Sequence, residues 1–146
     1  MKKIISIISL MAVVLLMACS SENDEKFNKL NDLIKNNKVE ELAKSADELY
    51  MDKAEYTAKE LVQLSVAYKY LAEQEMQGRN DATYLADYIS RALDCFNKAK
   101  DTDSDAVEEY LKDNDLGDFE KVINGMNDEL EKAKEAERAL IESINA

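Results

Sequence analysis

Apolar residues recur every three or four positions from residue 25 almost to the end of the chain. This is the spacing of a helix that buries one side, and it limits the folds available to the chain more than any other feature. No alternating run of β-branched residues, and no pair of such runs around an Asn-Gly turn, interrupts the pattern. We therefore expect an all-α protein.

Breaks in this pattern divide the chain into six predicted helices joined by short connectors. They cover Glu25–Asn36, Val39–Met51, Thr57 to a point before Gly78, Ala82–Lys100, Asp105–Lys112 and Asp118–Ile144. Thr57 and Glu60 have the spacing of a capping box, in which each side chain accepts a hydrogen bond from the other residue's free backbone N–H. The Asn36-Asn37 pair is the expected break between the first two helices.

One apolar stripe runs along the last predicted helix. It comprises Phe119, Ile123, Met126, Leu130, Ala133, Leu140 and Ile144. Glu137 falls on the same stripe, which weakens a long coiled-coil seam. We therefore favour capping of the helical domain by residues 118–144 over the alternative, a coiled-coil strand that dimerises.

The N-terminal segment is typical of a secretory signal. Lys2 and Lys3 give it a positive start, and an apolar stretch of 15 residues, Ile4–Ala18, follows. A helix that crosses a bilayer needs roughly 20 apolar residues, so this stretch is too short to be one.

The apolar stretch ends in Leu16-Met17-Ala18-Cys19, which resembles the lipobox of bacterial lipoproteins. The resemblance implies that residues 1–18 are a signal peptide and that Cys19 carries acyl chains after cleavage. Acyl chains anchor a soluble domain because each buried methylene contributes about 0.8 kcal/mol. The resemblance also implies an outer-membrane location. Residues 19–26 are then the lipidated cysteine and an acidic tether, which is either a surface-export signal or a plain hydrophilic spacer.

An internal similarity links FNKLNDLI (27–34) to LVQLSVAY (61–68), at an offset of 34 residues. This offset and the Ala92, Phe96, Ala99 pattern resemble the tetratricopeptide repeat. The resemblance covers residues 25–103 and implies stacked antiparallel helical hairpins. The Trp-Leu-Gly signature is missing, and residues 69–91 are roughly 15 residues longer than the repeat allows. A generic antiparallel helical bundle is the alternative. In both cases we expect residues 27–146 to form a single α-helical domain.

Proteins of this repeat family bind partners on the concave face, which the first helix of each hairpin lines. The resemblance therefore implies a set of partner-binding residues that face solvent: Asn28, Asp32, Lys35, Lys59, Val66, Lys69 and Tyr70. The three lysines make this face less acidic than the rest of the chain. We expect an extended peptide with acidic groups to bind there.

The amino-acid composition excludes several classes of function for this chain. A formal net charge of −12 disfavours nucleic-acid binding, because the phosphate backbone repels an acidic surface. The chain has no histidine, which removes the Ser-His-Asp and Cys-His triads and the HExxH zinc site. We therefore expect no enzymatic activity and no cofactor.

Two further features have structural explanations. Asp101, Asp103 and Asp105 have the spacing of a calcium-binding EF-hand loop, but Ala106 replaces the turn glycine and Lys112 replaces the final glutamate. We expect Asp103 or Ser104 to cap a helix, and we predict no metal site. Cys95 lies in a helical pattern, where we expect a buried small apolar side chain.

Three hypotheses for function follow. The first is a lipid-anchored helical-repeat adaptor that binds a protein or peptide. The second is an immunity or inhibitor lipoprotein that neutralises a toxin or hydrolase through its acidic surface. The third is an accessory lipoprotein of a carbohydrate-uptake system, with exposed tyrosines that stack on sugars.

The Cys19→Ser variant should lack lipid and remain an uncleaved precursor, because the thiol is the acyl acceptor in the lipobox interpretation. Metabolic labelling with a fatty-acid probe, followed by gel analysis, measures this directly. Cys95→Ser is the matched control and should label like the wild type. Label that persists on the Cys19→Ser chain would contradict the lipoprotein interpretation.

Overall fold

The computed structural model describes residues 22–79 and 81–146, and all regular structure within these ranges is helical. The all-α prediction is confirmed. The predicted signal peptide and Cys19 lie outside the described residues. The described helices are α1 (22–35), α2 (Val39–Met51), α3 (Ala58–Gln74), α4 (Ala82–Asp113) and α5 (Phe119–Asn145).

The acidic tether predicted over residues 19–26 overlaps α1. Residues 22–26 are helical and largely exposed, so this part of the tether is solvated but has regular structure. Lys26 lies 3.6 Å from Glu22 across one helical turn. Such pairs stabilise a helix by a few tenths of a kcal/mol. An acidic sequence without apolar residues therefore extends the helix that begins the domain.

Two helix ends have a left-handed residue that is not glycine. Asn37 has φ 53° after α1, and Asp115 has φ 55° after α4. In both turns the next N–H donates to a carbonyl five residues earlier, from Lys38 to Leu33 and from Leu116 to Leu111. This is the Schellman pattern, which satisfies carbonyls at the end of a helix. The predicted break at Asn36-Asn37 is confirmed.

The capping box predicted at the start of α3 is confirmed. The Glu60 N–H donates to Thr57 Oγ1 at 3.3 Å, and the Thr57 N–H donates to Glu60 Oε2 at 2.8 Å. The other end of this helix differs from expectation. After Gln74 the chain continues as a π-helical turn, Glu75–Arg79, so that Gly78 lies inside helical structure and not after it. A glycine weakens a helix by about 1 kcal/mol but does not end it.

Buried residues form two apolar clusters that share α3 and α4. The first cluster joins α1, α2, the C-terminal half of α3 and part of α4: Phe27, Leu30, Leu33, Leu42, Ala46, Leu49, Leu64, Ala67, Tyr68, Leu71, Ala92 and Cys95. The second joins the N-terminal half of α3 to α4 and α5: Ala58, Leu61, Val62, Phe96, Ala99, Val107, Phe119 and Ile123. Burial of α3 by neighbours on several sides makes it the central helix of the domain.

α4 contains one residue outside the helical region of backbone space. Asp103 has φ −161° and ψ 95°, and its Oδ1 accepts a hydrogen bond from the Ala106 N–H at 3.0 Å. The side chain therefore caps the following turn, as predicted for Asp103 or Ser104. The predicted fourth and fifth helices are the two parts of α4 on either side of this kink.

Only the N-terminal end of α5 is buried. Phe119 and Ile123 lie in the second cluster, and Met126 and Leu130 are half-buried. Leu140 and Ile144, which belong to the same predicted stripe, are 60% and 73% exposed. Capping of the domain by residues 118–144 is therefore confined to the first part of this helix, because α5 extends beyond the helices it packs against.

Cys95 is fully buried in the first cluster, as predicted. Burial raises the pKa of its thiol to about 12, because a thiolate is poorly solvated there. At neutral pH the side chain is a protonated, apolar thiol.

None of the five helices that the structure describes is long and apolar enough to cross a membrane.

Leu64→Ala should lower the free energy of unfolding by about 2–5 kcal/mol, because Leu64 is fully buried in α3 and the smaller side chain leaves a cavity. Urea unfolding followed by circular dichroism measures the change. Met51→Ala is the control, since Met51 is 82% exposed and should change stability by no more than about 0.5 kcal/mol. Equal effects at the two positions would mean that α3 is not the centre of the core.

Candidate functional site

A cleft of about 450 Å³ opens between α1, α3 and the C-terminal part of α4. Its lining residues are mainly polar: Asn31, Lys59, Gln63, Ala106, Glu109, Tyr110, Asp113 and Asn114. α1 contributes Asn31, and α3 contributes Lys59 and Gln63 one turn apart. All the others come from α4 and the turn that follows it. The kink at Asp103 directs this part of α4 and so gives the cleft its third side.

The cleft carries both signs of charge and several neutral hydrogen-bonding groups. Lys59 is exposed and forms no ion pair with any residue in the described ranges. Glu109 and Asp113 line the α4 side. Tyr110 is half-buried, and burial raises the pKa of its phenol, whereas a hydrogen bond from Gln63 acts in the opposite direction. The phenol therefore stays neutral near pH 7.

The structure brings only one of the predicted partner-binding residues, Lys59, into this cleft. Asn28 and Asp32 lie in a separate open depression whose described lining residues all belong to α1. Lys35 is exposed near the end of the same helix. The three predicted residues of α1 thus lie outside the α1–α3–α4 cleft.

The remaining predicted residues are less exposed than expected. Val66 packs against the second cluster, and Tyr70 packs against the first. The Tyr70 hydroxyl donates to Asn37 Oδ1 at 2.6 Å and so joins α3 to the α1–α2 turn. Lys69 pairs with Glu73 at 2.7 Å. The expectation that these side chains face solvent was wrong for Val66 and Tyr70, which are half-buried because neighbouring helices cover α3 on several sides.

Sequence reasoning missed the α4 side of the cleft. The sequence predicts residues 105–112 only as a short capped helix, although Ala106 and Tyr110 are four residues apart and lie on one helix face. The four-residue spacing of Ala106 and Tyr110 is the sequence feature that could have indicated the α4 side of the cleft. Which face of this helix meets α1 and α3 depends on the backbone angles at Asp103, and the cap predicted there does not specify them.

A second polar cluster joins α2, α3 and α4 around two tyrosines. The Tyr68 hydroxyl donates to Asp47 Oδ1 at 2.8 Å, and Arg91 Nη1 donates to the same oxygen at 2.6 Å. The Tyr50 hydroxyl donates to Asp94 Oδ2 at 2.7 Å. The two rings meet edge to face, with centroids 5.7 Å apart. We call this set, with Lys53, the tyrosine–carboxylate network.

Electrostatics within this network favour the charged form of Asp94 and the neutral form of the two phenols. Burial raises the pKa of Tyr68 above its ordinary value, so the hydroxyl remains a donor. Lys53 Nζ donates a hydrogen bond to Asp94 Oδ2 at 2.6 Å, and this bond lowers the pKa of the Asp94 carboxyl. Each of the four polar side chains around the tyrosines has an internal partner, which indicates a structural role for the network.

Glu75 is the one buried acid among the described residues, at 4% exposure. Its Oε2 has no hydrogen-bond partner in the described part of the chain. A buried carboxylate oxygen without a hydrogen bond destabilises the folded state relative to one that is exposed to water. The carboxylate lies near enough to Tyr88 to contribute, after burial and Asp47, to raising the pKa of that phenol.

The residues around Asp103 do not form an ion-binding loop. Side chains 101–105 are exposed, and one oxygen of Asp103 is occupied by the helix cap. Within residues 22–79 and 81–146, no group of three or more acidic or cysteine side chains is arranged to hold a metal ion.

No protein-family model matches the chain, and no curated protein or solved structure is significantly similar to it.

Asp94→Asn should make stability less sensitive to acid. In the folded chain the pKa of Asp94 lies below its ordinary value of 3.8, so its stabilising contribution is complete above that value and is lost as the pH falls through the folded pKa. The wild type should therefore be more stable than the variant at neutral pH, and the difference should shrink in acid. Urea unfolding at about pH 7, 4 and 3 measures it, since an aspartate titrates near 4.

Asp105→Asn provides the control, because Asp105 is exposed and pairs with no lysine or arginine in the described ranges. The difference in unfolding free energy between Asp105→Asn and the wild type should not shrink as the pH falls. A difference for Asp94→Asn that stays constant on acidification would show that the Lys53–Asp94 pair does not stabilise the fold.

Proposed function

We propose that this chain is a lipid-anchored helical-repeat adaptor of the bacterial outer membrane, which binds a protein or peptide partner without catalysing a reaction. The observation that carries the proposal is the cleft between α1, α3 and α4. It is the place where side chains from three separate helices face a common open space. Hydrogen-bonding groups fixed on rigid helices are suited to recognition.

The burial of matched residues supports a repeat architecture. Phe27 and Leu61 are both buried, and so are Leu30 and Leu64, as equivalent residues of two similar hairpins should be. In this proposal the C-terminal part of α4 and α5 form a third hairpin. The cleft then lies along the first helix of each hairpin, which is the partner-binding face in tetratricopeptide proteins.

The chemistry of the cleft favours an extended peptide segment. The Asn31 side-chain amide offers both a donor and an acceptor, and the Gln63 amide, which also donates to Tyr110, keeps an acceptor oxygen and a second N–H. Such groups suit the alternating N–H and C=O groups of a peptide backbone. Lys59 is available to a carboxylate, and Glu109 and Asp113 are available to a cation. We therefore expect a partner segment that carries both an acidic and a basic side chain.

The anchor supports the same function. The LMAC sequence ends at Cys19, and α1 is already helical at residue 22. Since an extended residue spans at most about 3.6 Å, lipid at Cys19 holds the domain close to the membrane surface. A partner bound in the cleft is thereby kept at the membrane.

Site-specific photo-cross-linking in living cells of the native host tests the adaptor proposal. A photoreactive amino acid at Lys59 or Glu109 should capture a discrete protein partner, because both positions line the cleft. The matched control is the neighbouring Glu108, which is exposed but lies outside the cleft lining. We expect much less adduct there, because consecutive residues of a helix point about 100° apart.

Two results would contradict the proposal. One is equal adduct formation from positions 108 and 109, which would indicate nonspecific contact. The other is no adduct from either 59 or 109 while the protein is present at its normal level.

A further inference from the structure

The C-terminal part of α5 carries an apolar surface that no other described residue covers. Leu140, Ile141 and Ile144 are 60%, 50% and 73% exposed, whereas Phe119 and Ile123 on the same helix are buried. At 1.5 Å per residue, the segment from 126 to 146 is about 30 Å long. Nothing in residues 22–79 or 81–125 packs on the last two turns of this helix.

The exposed residues continue the stripe that is buried at the start of α5. Along it the steps alternate between four and three residues: Phe119, Ile123, Met126, Leu130, Ala133, Glu137, Leu140 and Ile144. This alternation is the heptad spacing of residues at the contact between two supercoiled helices. The spacing identifies a helix as the occupant of the exposed surface.

Glu137 limits the arrangement of that second helix. In a parallel pair of identical helices it would face another Glu137, and like charges at a contact are destabilising. In an antiparallel pair centred between positions 133 and 137, Glu137 instead faces Ala133 of the second copy. The small alanine leaves room for the longer side chain, and Lys134 of the second copy lies beside it.

The same register matches the other apolar residues. Leu130 faces Leu140 of the second copy, and Met126 faces Ile144, so the two exposed large apolar residues of the stripe each meet a half-buried apolar side chain. Glu137 forms no ion pair within the described chain, and Lys134 pairs only with Glu131 on its own helix, at 2.8 Å. Two symmetry-related Glu137–Lys134 pairs therefore complete the contact.

We propose that residues 126–146 bind the same segment of a second copy of this chain as an antiparallel pair of helices, with Glu137 of each copy paired to Lys134 of the other. A lipid surface is disfavoured as the occupant, because this segment has six acidic residues against three basic ones. The cleft between α1, α3 and α4 does not contribute to this interaction, so the dimer is independent of the proposed adaptor function.

Charge reversal tests the proposed pair. Two differently tagged copies of the full chain are expressed together, and the fraction that co-precipitates from detergent-solubilised membranes is measured. Glu137→Lys alone, or Lys134→Glu alone, should reduce that fraction by about fivefold or more, as expected for the loss of a direct coupling. The double variant restores opposite charges across the contact and should recover most of the wild-type fraction.

The double variant distinguishes self-association from binding to an unrelated partner. Reversing both charges on this chain would not restore binding to a different protein, whose own charges are unchanged. Circular dichroism of each variant checks that helix content is unchanged. Full co-precipitation of both single variants would overturn the proposal. So would a double variant that keeps its helix content but does not recover.

Cysteine cross-linking in membranes tests the antiparallel register. One tagged chain carries Ala133→Cys and the other carries Glu137→Cys, and oxidation should give an adduct that contains both tags. A parallel pair would instead cross-link each variant to itself and would overturn the register. The control pair, Glu131→Cys with Glu135→Cys, places both thiols on the outer face and should give no adduct. Absence of the 133–137 adduct, or its replacement by an adduct with another protein, would overturn the proposal.

Discussion

Burial of α3 on several sides is the constraint on which the rest of the fold depends. Helices on both sides can approach it closely because many of its inward residues are small. Ser65 Oγ donates to the Ala92 carbonyl at 2.6 Å, so α3 and α4 meet almost backbone to backbone at that point. A helix with apolar residues on several sides is stable only when those sides are covered. α1 and α2 cover its C-terminal half, and α4 with α5 covers its N-terminal half.

The tyrosine–carboxylate network follows from the same constraint. Tyr68 is the largest fully buried side chain in the described part of the protein, and its hydroxyl must keep a hydrogen bond, since an unpaired buried hydroxyl is costly. Asp47 from α2 and Arg91 from α4 supply the partners. A single polar atom on the central helix thereby fixes how the two neighbouring helices lie against it. Apolar packing alone allows more alternatives than directional hydrogen bonds do.

Local chemistry made most of the fold predictable from the sequence. The Val39–Met51 helix, the Thr57 cap and the Asp103 cap each depend on residues close together in the chain, and all three match the structure. The partner-binding surface was harder to predict, because it depends on which faces of distant helices meet. Tyr70 shows the difference: an aromatic residue on a helix looks available for binding until a side chain from another turn, here Asn37, is found to engage it.

The kink at Asp103 has a consequence for how the cleft meets a ligand. No loop separates the two parts of α4, so their relative orientation depends chiefly on the two backbone dihedral angles of this one residue. Val107, one turn after the kink, is buried in the second cluster together with residues of α3, and the Asp103 side chain caps the same turn. The α4 side of the cleft is therefore held in place before a ligand arrives. Because a pre-formed cleft has little backbone to order, binding avoids most of the entropy cost that a flexible loop would carry.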